Sequence, residues 1–80
     1  MKIVAGIDVS KGTLDVCADK ESKSFANEAE GHRKLSAWLL RRKVDLAVME
    51  ATGSYHEELA AHLVKRGIPV AVVNPARALY

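Results

Sequence analysis

Five short β-rich runs divide this chain, and the lengths of the connections between them constrain its fold more than any other feature. The first three runs cover residues 2–9, residues 13–19 and a short stretch through Phe25. They are joined by tight turns, Ser10-Lys11-Gly12 and then Lys20 to Lys23. Turns this short link antiparallel strands. The last two runs, Val44 to Glu50 and Val70 to Val73, each follow a helix-length segment with apolar residues at helical spacing. A connection of that length is what a parallel crossover requires. The order is therefore βββαβαβ.

The helices carry their own punctuation. Asn27 and Glu30 have capping-box spacing, and the segment after them puts Leu35, Trp38 and Leu39 on one face before ending near Arg42. Ser54 and Glu57 form a second such box after Gly53, and Leu59, Ala60, Leu63 and Val64 make the stripe expected to be buried. Gly67 is a natural helix stop, with Pro69 just beyond. Asn74-Pro75 reads as the cap and first residue of a third helix.

Placing the first strand centrally gives a five-stranded mixed sheet of order 3-2-1-4-5. Parallel crossovers are right-handed, and both here move the same way across the sheet, so both helices land on one face. Yet LAVM and VAVV are apolar on both sides. The second face then needs a cover, either a later C-terminal helix or a second copy of the chain. On this reading residues 1–80 are the first part of a larger α/β domain whose C-terminal part is missing.

Composition narrows the class without naming it. Eighty residues allow one small domain, and 49% apolar with 28% charged residues is ordinary for a globular chain. A formal charge of +2 does not announce a nucleic-acid binder. Arg33, Lys34, Arg41, Arg42 and Lys43 cluster in or just after one segment, which reads first as a solvated helix face. Cys17 is the single cysteine, so no internal disulfide forms, and it reads as a small, semi-buried side chain. No apolar stretch approaches a membrane span, and the N-terminus lacks a signal-peptide layout, so the expected location is cytoplasmic, with no membrane partner.

Two carboxylates stand out. Asp8 closes the run IVAGID and Glu50 closes LAVME, each followed by turn-forming residues. If their strands are parallel neighbours, both side chains converge at the end of the sheet where open α/β folds bind ligands. A divalent metal site is the first hypothesis, because Mg²⁺ prefers hard oxygen ligands and retains several waters. The alternative stays open: Asp8 caps its turn, and Glu50 is a solvated strand end.

The wording of the motifs is more specific. GIDVSKGTLDV at 6–16 and MEATGSYHEELAAHLVKRGIPVAVVNPARA at 49–78, with the spacing between them, resemble the N-terminal domain of DEDD transposases of the one-hundred-and-ten insertion-sequence family. The resemblance covers essentially the whole chain and implies a ribonuclease H-like fold of the RuvC-like branch. It further implies a four-carboxylate site in the order Asp, Glu, Asp, Asp, holding Mg²⁺ or Mn²⁺ for phosphodiester cleavage or transfer on DNA. Asp8 matches the first member and Glu50 the second. The last pair normally lies in a TDRxDA-like segment, and none occurs here. Metal binding by these residues is therefore expected to be weak, and the fragment inactive or nearly so. Members of the family are guided by a structured RNA and carry a nucleophilic serine in a separate C-terminal domain.

Lesser candidates follow. Lys11 is a point charge for a phosphate, and Thr52, Gly53 and Ser54 form a loop whose amides open a helix, a natural anion site; exposure and ordinary capping explain them equally well. Tyr55 is expected to be buried against the sheet rather than to stack on a base. His32, His56 and His62 share no ligand spacing with a third donor and read as surface or boundary residues. Asp15 and Asp19 read as solvent-facing. Two further classes fit the pattern: a dimerising module using the open sheet face, and half of an actin-like or sugar-kinase-like ATP-binding domain. The latter generally needs glycine two residues after the aspartate, where Ser10 stands here.

Overall fold

The structure, a computed structural model, describes residues 2–51 and 53–74. Its elements are β1 (Val4–Val9), β2 (Thr13–Ala18), β3 (Glu21–Ala26), α1 (Ala29–Arg41), β4 (Leu46–Glu50), α2 (Glu57–Lys65) and β5 (Val70–Val73). They form one five-stranded sheet of order β3-β2-β1-β4-β5. β1 and β4 are parallel, as are β4 and β5, while β2 runs antiparallel to both β1 and β3. This is the predicted topology, and the third helix expected from Pro75 onward lies outside the described residues.

Strand alternation decides what is covered. Ala5, Ile7 and Val9 of β1, Leu14, Val16 and Ala18 of β2, and Ala47 and Met49 of β4 are buried. They pack with Leu35, Trp38 and Leu39 of α1 and Leu59 and Leu63 of α2 in one core. Both helices thus lie on one face, and the intervening residues line the other. Val4 remains 52% exposed there, Val73 41%, and Val48 half-buried. Cys17 falls on this open face and is exposed, not semi-buried.

Helix ends explain several departures from expectation. Neither capping box forms. α1 starts from Glu28 and α2 from His56, with no side-chain cap bond at either. The Asn27 side chain leaves the first backbone N–H groups of α1 uncapped and takes other partners described below, and Ser54 uses its carbonyl to accept the Glu57 N–H at 3.2 Å. At the C-termini the two helices end alike. The Lys43 N–H donates to Leu40 and the Val44 N–H to Leu39; the Gly67 N–H donates to Val64 and the Ile68 N–H to Leu63. These are Schellman closures with a left-handed residue at the turn: Gly67 at φ 82° and Lys43 at φ 55°. Val64 of the expected stripe is 62% exposed, because the nine-residue helix faces the core with Leu59 and Leu63, flanked by half-buried Ala60.

Tertiary packing at the far end of α1 is polar at its rim. The Arg42 guanidinium lies 3.8 Å from the Trp38 ring centre and makes two hydrogen bonds to Glu21, at 2.9 and 3.2 Å. Trp38 meets Phe25 edge to face. At the same end of the sheet, Asp45 precedes β4 and extends the ladder, its N–H donating to Ile3 O and its Oδ2 accepting from Ile3 N–H, both at 2.7 Å. Among the described residues, no helix is long and apolar enough to cross a membrane.

Candidate metal and nucleic-acid site

Sheet register brings Asp8 and Glu50 together. β1 and β4 pair in parallel up to Ile7 with Met49, so the next residues, Asp8 and Glu50, sit side by side at the strand ends. Neighbouring strands lie about 4.8 Å apart. Ile7 and Met49 point into the core, and both carboxylates therefore point to the open face, where both are exposed. The ion pairs of the described residues are Arg33 with Glu30 and Arg42 with Glu21, and neither site carboxylate takes part. Two adjacent, unneutralised oxygen donors suit a hard divalent cation.

A third carboxylate, Asp15, faces solvent as expected and stands beside this pair. Asp15 is the cross-strand partner of Asp8 in the β1–β2 ladder, on the same open face. Its Oδ1 accepts a hydrogen bond from the Ser24 hydroxyl of β3. A two-residue loop at Lys11-Gly12 sets this register, and counting back from that loop would have paired residues 8 and 15. Even so, among the described residues no three His, Cys, Asp or Glu side chains are grouped closely enough to hold a metal ion. The pair fits as part of a donor set.

The lesser candidates divide. Lys11 and Ser54 line one shallow depression with Asn27 and Tyr55, beside the strand ends. Gly53 is exposed at φ 59°, and Thr52 lies outside the described residues. Glu57 and Glu58 border the same depression, so its charge is mixed rather than anion-selective. Tyr55 is 45% exposed, contrary to expectation, because the turn at 53–56 carries it off the sheet.

Of the histidines, His56 and His62 are half-buried, as expected of boundary residues, and His32 alone departs from expectation. His32 is buried at 4% exposure, with its Nε2 2.7 Å from Asn27 Oδ1. His62 Nε2 lies 3.2 Å from the Ser36 hydroxyl, and the two imidazoles are 6.2 Å apart between the helices. Burial, then the neighbouring His62, push the His32 pKa below the ordinary imidazole value. Burial, then Arg66, Lys65 and Arg33, lower that of His62. A position inside a helical stripe was the available signal for His32, which follows Gly31 and precedes Leu35 at i+3.

Comparison with known proteins decides the family. A family model described as transposase, that of the IS110-type DEDD enzymes, matches residues 5–79. The chain belongs to the DEDD transposase family. Two pilin gene-inverting proteins, from Moraxella bovis and Moraxella lacunata, are each 30% identical to it over 82 residues, covering 92% of this chain. The chain spans 26% of the length of each. Among solved structures, Thermus thermophilus RuvC in complex with a Holliday junction substrate aligns with a TM-score of 0.61 at 17% identity, over 95% of this chain and 66% of that one. A further Thermus thermophilus RuvC structure aligns at 0.58 and 17% identity, over 91% and 62%. The transposase family and the RuvC-like sheet agree with the fold built above from strand order.

Proposed function

We propose that this chain supplies the first two carboxylates of a transposase catalytic domain that cleaves or transfers DNA phosphodiesters with Mg²⁺ or Mn²⁺. The observation that carries it is the placement of Asp8 beside Glu50 on the open face, in a chain of the DEDD transposase family. A bound divalent cation stabilises charge on the attacking and leaving oxygens of such a reaction. Asp8, on the central strand, is placed to hold the cation from the middle of the sheet, and Glu50 holds it from the adjacent strand. Lys11, with the loop Thr52, Gly53 and Ser54, positions the DNA backbone without reading bases. With two carboxylates in hand, residues 1–80 alone are inactive or nearly so.

The substrate class we favour is branched or paired DNA. The fold neighbour solved with a Holliday junction and the relatives named for inverting a pilin gene both act in that direction. A structured guide RNA is a further partner implied by the family. The exposed valines of the open face, Val4 and Val73, support a second reading in which this face also mediates self-association. Sedimentation at high concentration tests it, and a clean monomer argues against it.

Incubation of the full-length protein with branched and linear DNA in Mg²⁺ or Mn²⁺ tests the principal reading. Cleavage or strand transfer is expected, and is lost in Asp8→Ala and in Glu50→Ala while circular dichroism stays unchanged. Full activity in Asp8→Ala sinks it.

A further inference from the structure

Asn27 lies on neither strand that bears a carboxylate, yet it holds the loops that follow both. Its backbone N–H donates to Gly12 O at 3.1 Å. Its side-chain Nδ2 donates to Ser10 O at 2.8 Å and to Tyr55 O at 3.0 Å. Ser10 and Gly12 lie in the turn after Asp8, and Tyr55 lies in the loop after Glu50. With the amide hydrogens directed at two carbonyls, Oδ1 is left to accept. It faces His32 Nε2 at 2.7 Å, so neutral His32 carries its proton on that nitrogen. His32 is buried, and α1 sits close against the end of β3 because Gly31 has no side chain. The bonds thus run from the core, through one imidazole and one amide, to both loops.

Asp8 is held by its ladder to β2 and Glu50 by its ladder to β5, but no pairing ties the two to each other. The β1–β4 ladder pairs Ile7 with Met49, and the carboxylate-bearing residues come one step later. We infer that Asn27, locked by His32, is a positioning residue that sets the spacing of Asp8 and Glu50 and so the cation affinity of the pair. This rests on the divalent-cation reading above. Groups behind a metal ligand that fix its orientation typically change affinity 10–100-fold.

Mn²⁺ titration of the full-length protein, read by the electron paramagnetic resonance of the free ion, tests the inference alongside metal-free thermal unfolding. Asn27→Asp keeps the shape of the side chain but sets an oxygen against two carbonyls; it is expected to weaken Mn²⁺ binding by about 10-fold or more. His32→Leu is expected to weaken it too, whereas His32→Gln, which retains an N–H donor, restores near-wild-type affinity. Arg42→Ala, remote from the loops, is expected to lower the Tm without changing affinity. Wild-type affinity in both Asn27→Asp and His32→Leu, with Asp8→Ala impaired, overturns the positioning role and leaves the cation reading standing. An equal loss in Arg42→Ala also overturns it, since general destabilisation then suffices. If Asp8→Ala has no effect, the cation reading falls and the positioning role falls with it. Should Asn27→Asp not fold, the contrast between His32→Leu and His32→Gln decides.

Discussion

Asp8 stands directly across the β1–β2 ladder from Asp15, with both side chains on the open face. Like charges facing each other across a ladder are destabilising, and the Ser24 hydroxyl relieves only the Asp15 side. In the absence of metal, Asp15→Asn is expected to stabilise the protein by about 0.2–1 kcal/mol at neutral pH. The gain should shrink with added salt. Urea unfolding at low and high salt measures it, and a destabilised Asp15→Asn would show that the Ser24 bond outweighs the repulsion.

Gly31 is fixed by a close approach rather than by its own dihedrals. A Cβ there would meet Ala26 O at 1.7 Å and the Ala26 carbonyl carbon at 2.7 Å. Backbone cannot rotate aside as a side chain can, so α1 has to lift from β3. Gly31→Ala is therefore expected to cost about 3 kcal/mol, the upper end of overpacking, despite alanine's better helix propensity. Chemical denaturation checks it; a change below about 1 kcal/mol would mean that the helix shifts freely.

Strand order and helix placement were legible because loop length and crossover handedness leave few arrangements for five runs. The side-by-side placement of Asp8 and Glu50 was legible for the same reason: each ends a β run, and parallel neighbours bring such ends together. The polar side chains were harder to read. Asn27 has the spacing of a helix cap, but tertiary partners at Ser10, Tyr55 and His32 take its amide, and those lie 17, 28 and 5 residues away. Local pattern cannot register such bonds. The pairing of Asp15 with Asp8 was within reach, since a two-residue loop sets it; placing Ser10 in the turn hides it.

Lys43 occupies the left-handed turn position at which α2 uses Gly67, and a side chain there carries a steric cost that glycine avoids. Lys43→Gly is expected to stabilise by about 1 kcal/mol, and Gly67→Ala to destabilise by a similar amount. The two helices make an internal comparison, since both close with the same pair of backbone bonds. Guanidinium midpoints of the two variants test it; opposite signs are required.

Stability should fall on mild acidification. The pKa values of His32 and His62 are lowered in the folded protein relative to an ordinary value of 6.5, so the unfolded chain takes up protons first. Stability from the neutral imidazoles is complete above about 6.5 and is lost as the pH falls toward the depressed folded values. Protonating His32 places a buried charge near His62, although Glu58 and Glu28 offset part of that. Thermal melts between about pH 5 and 8 should show a falling Tm below neutrality, with a shallower slope in His32→Gln than in the wild type. A parallel slope would assign the acid loss to other groups.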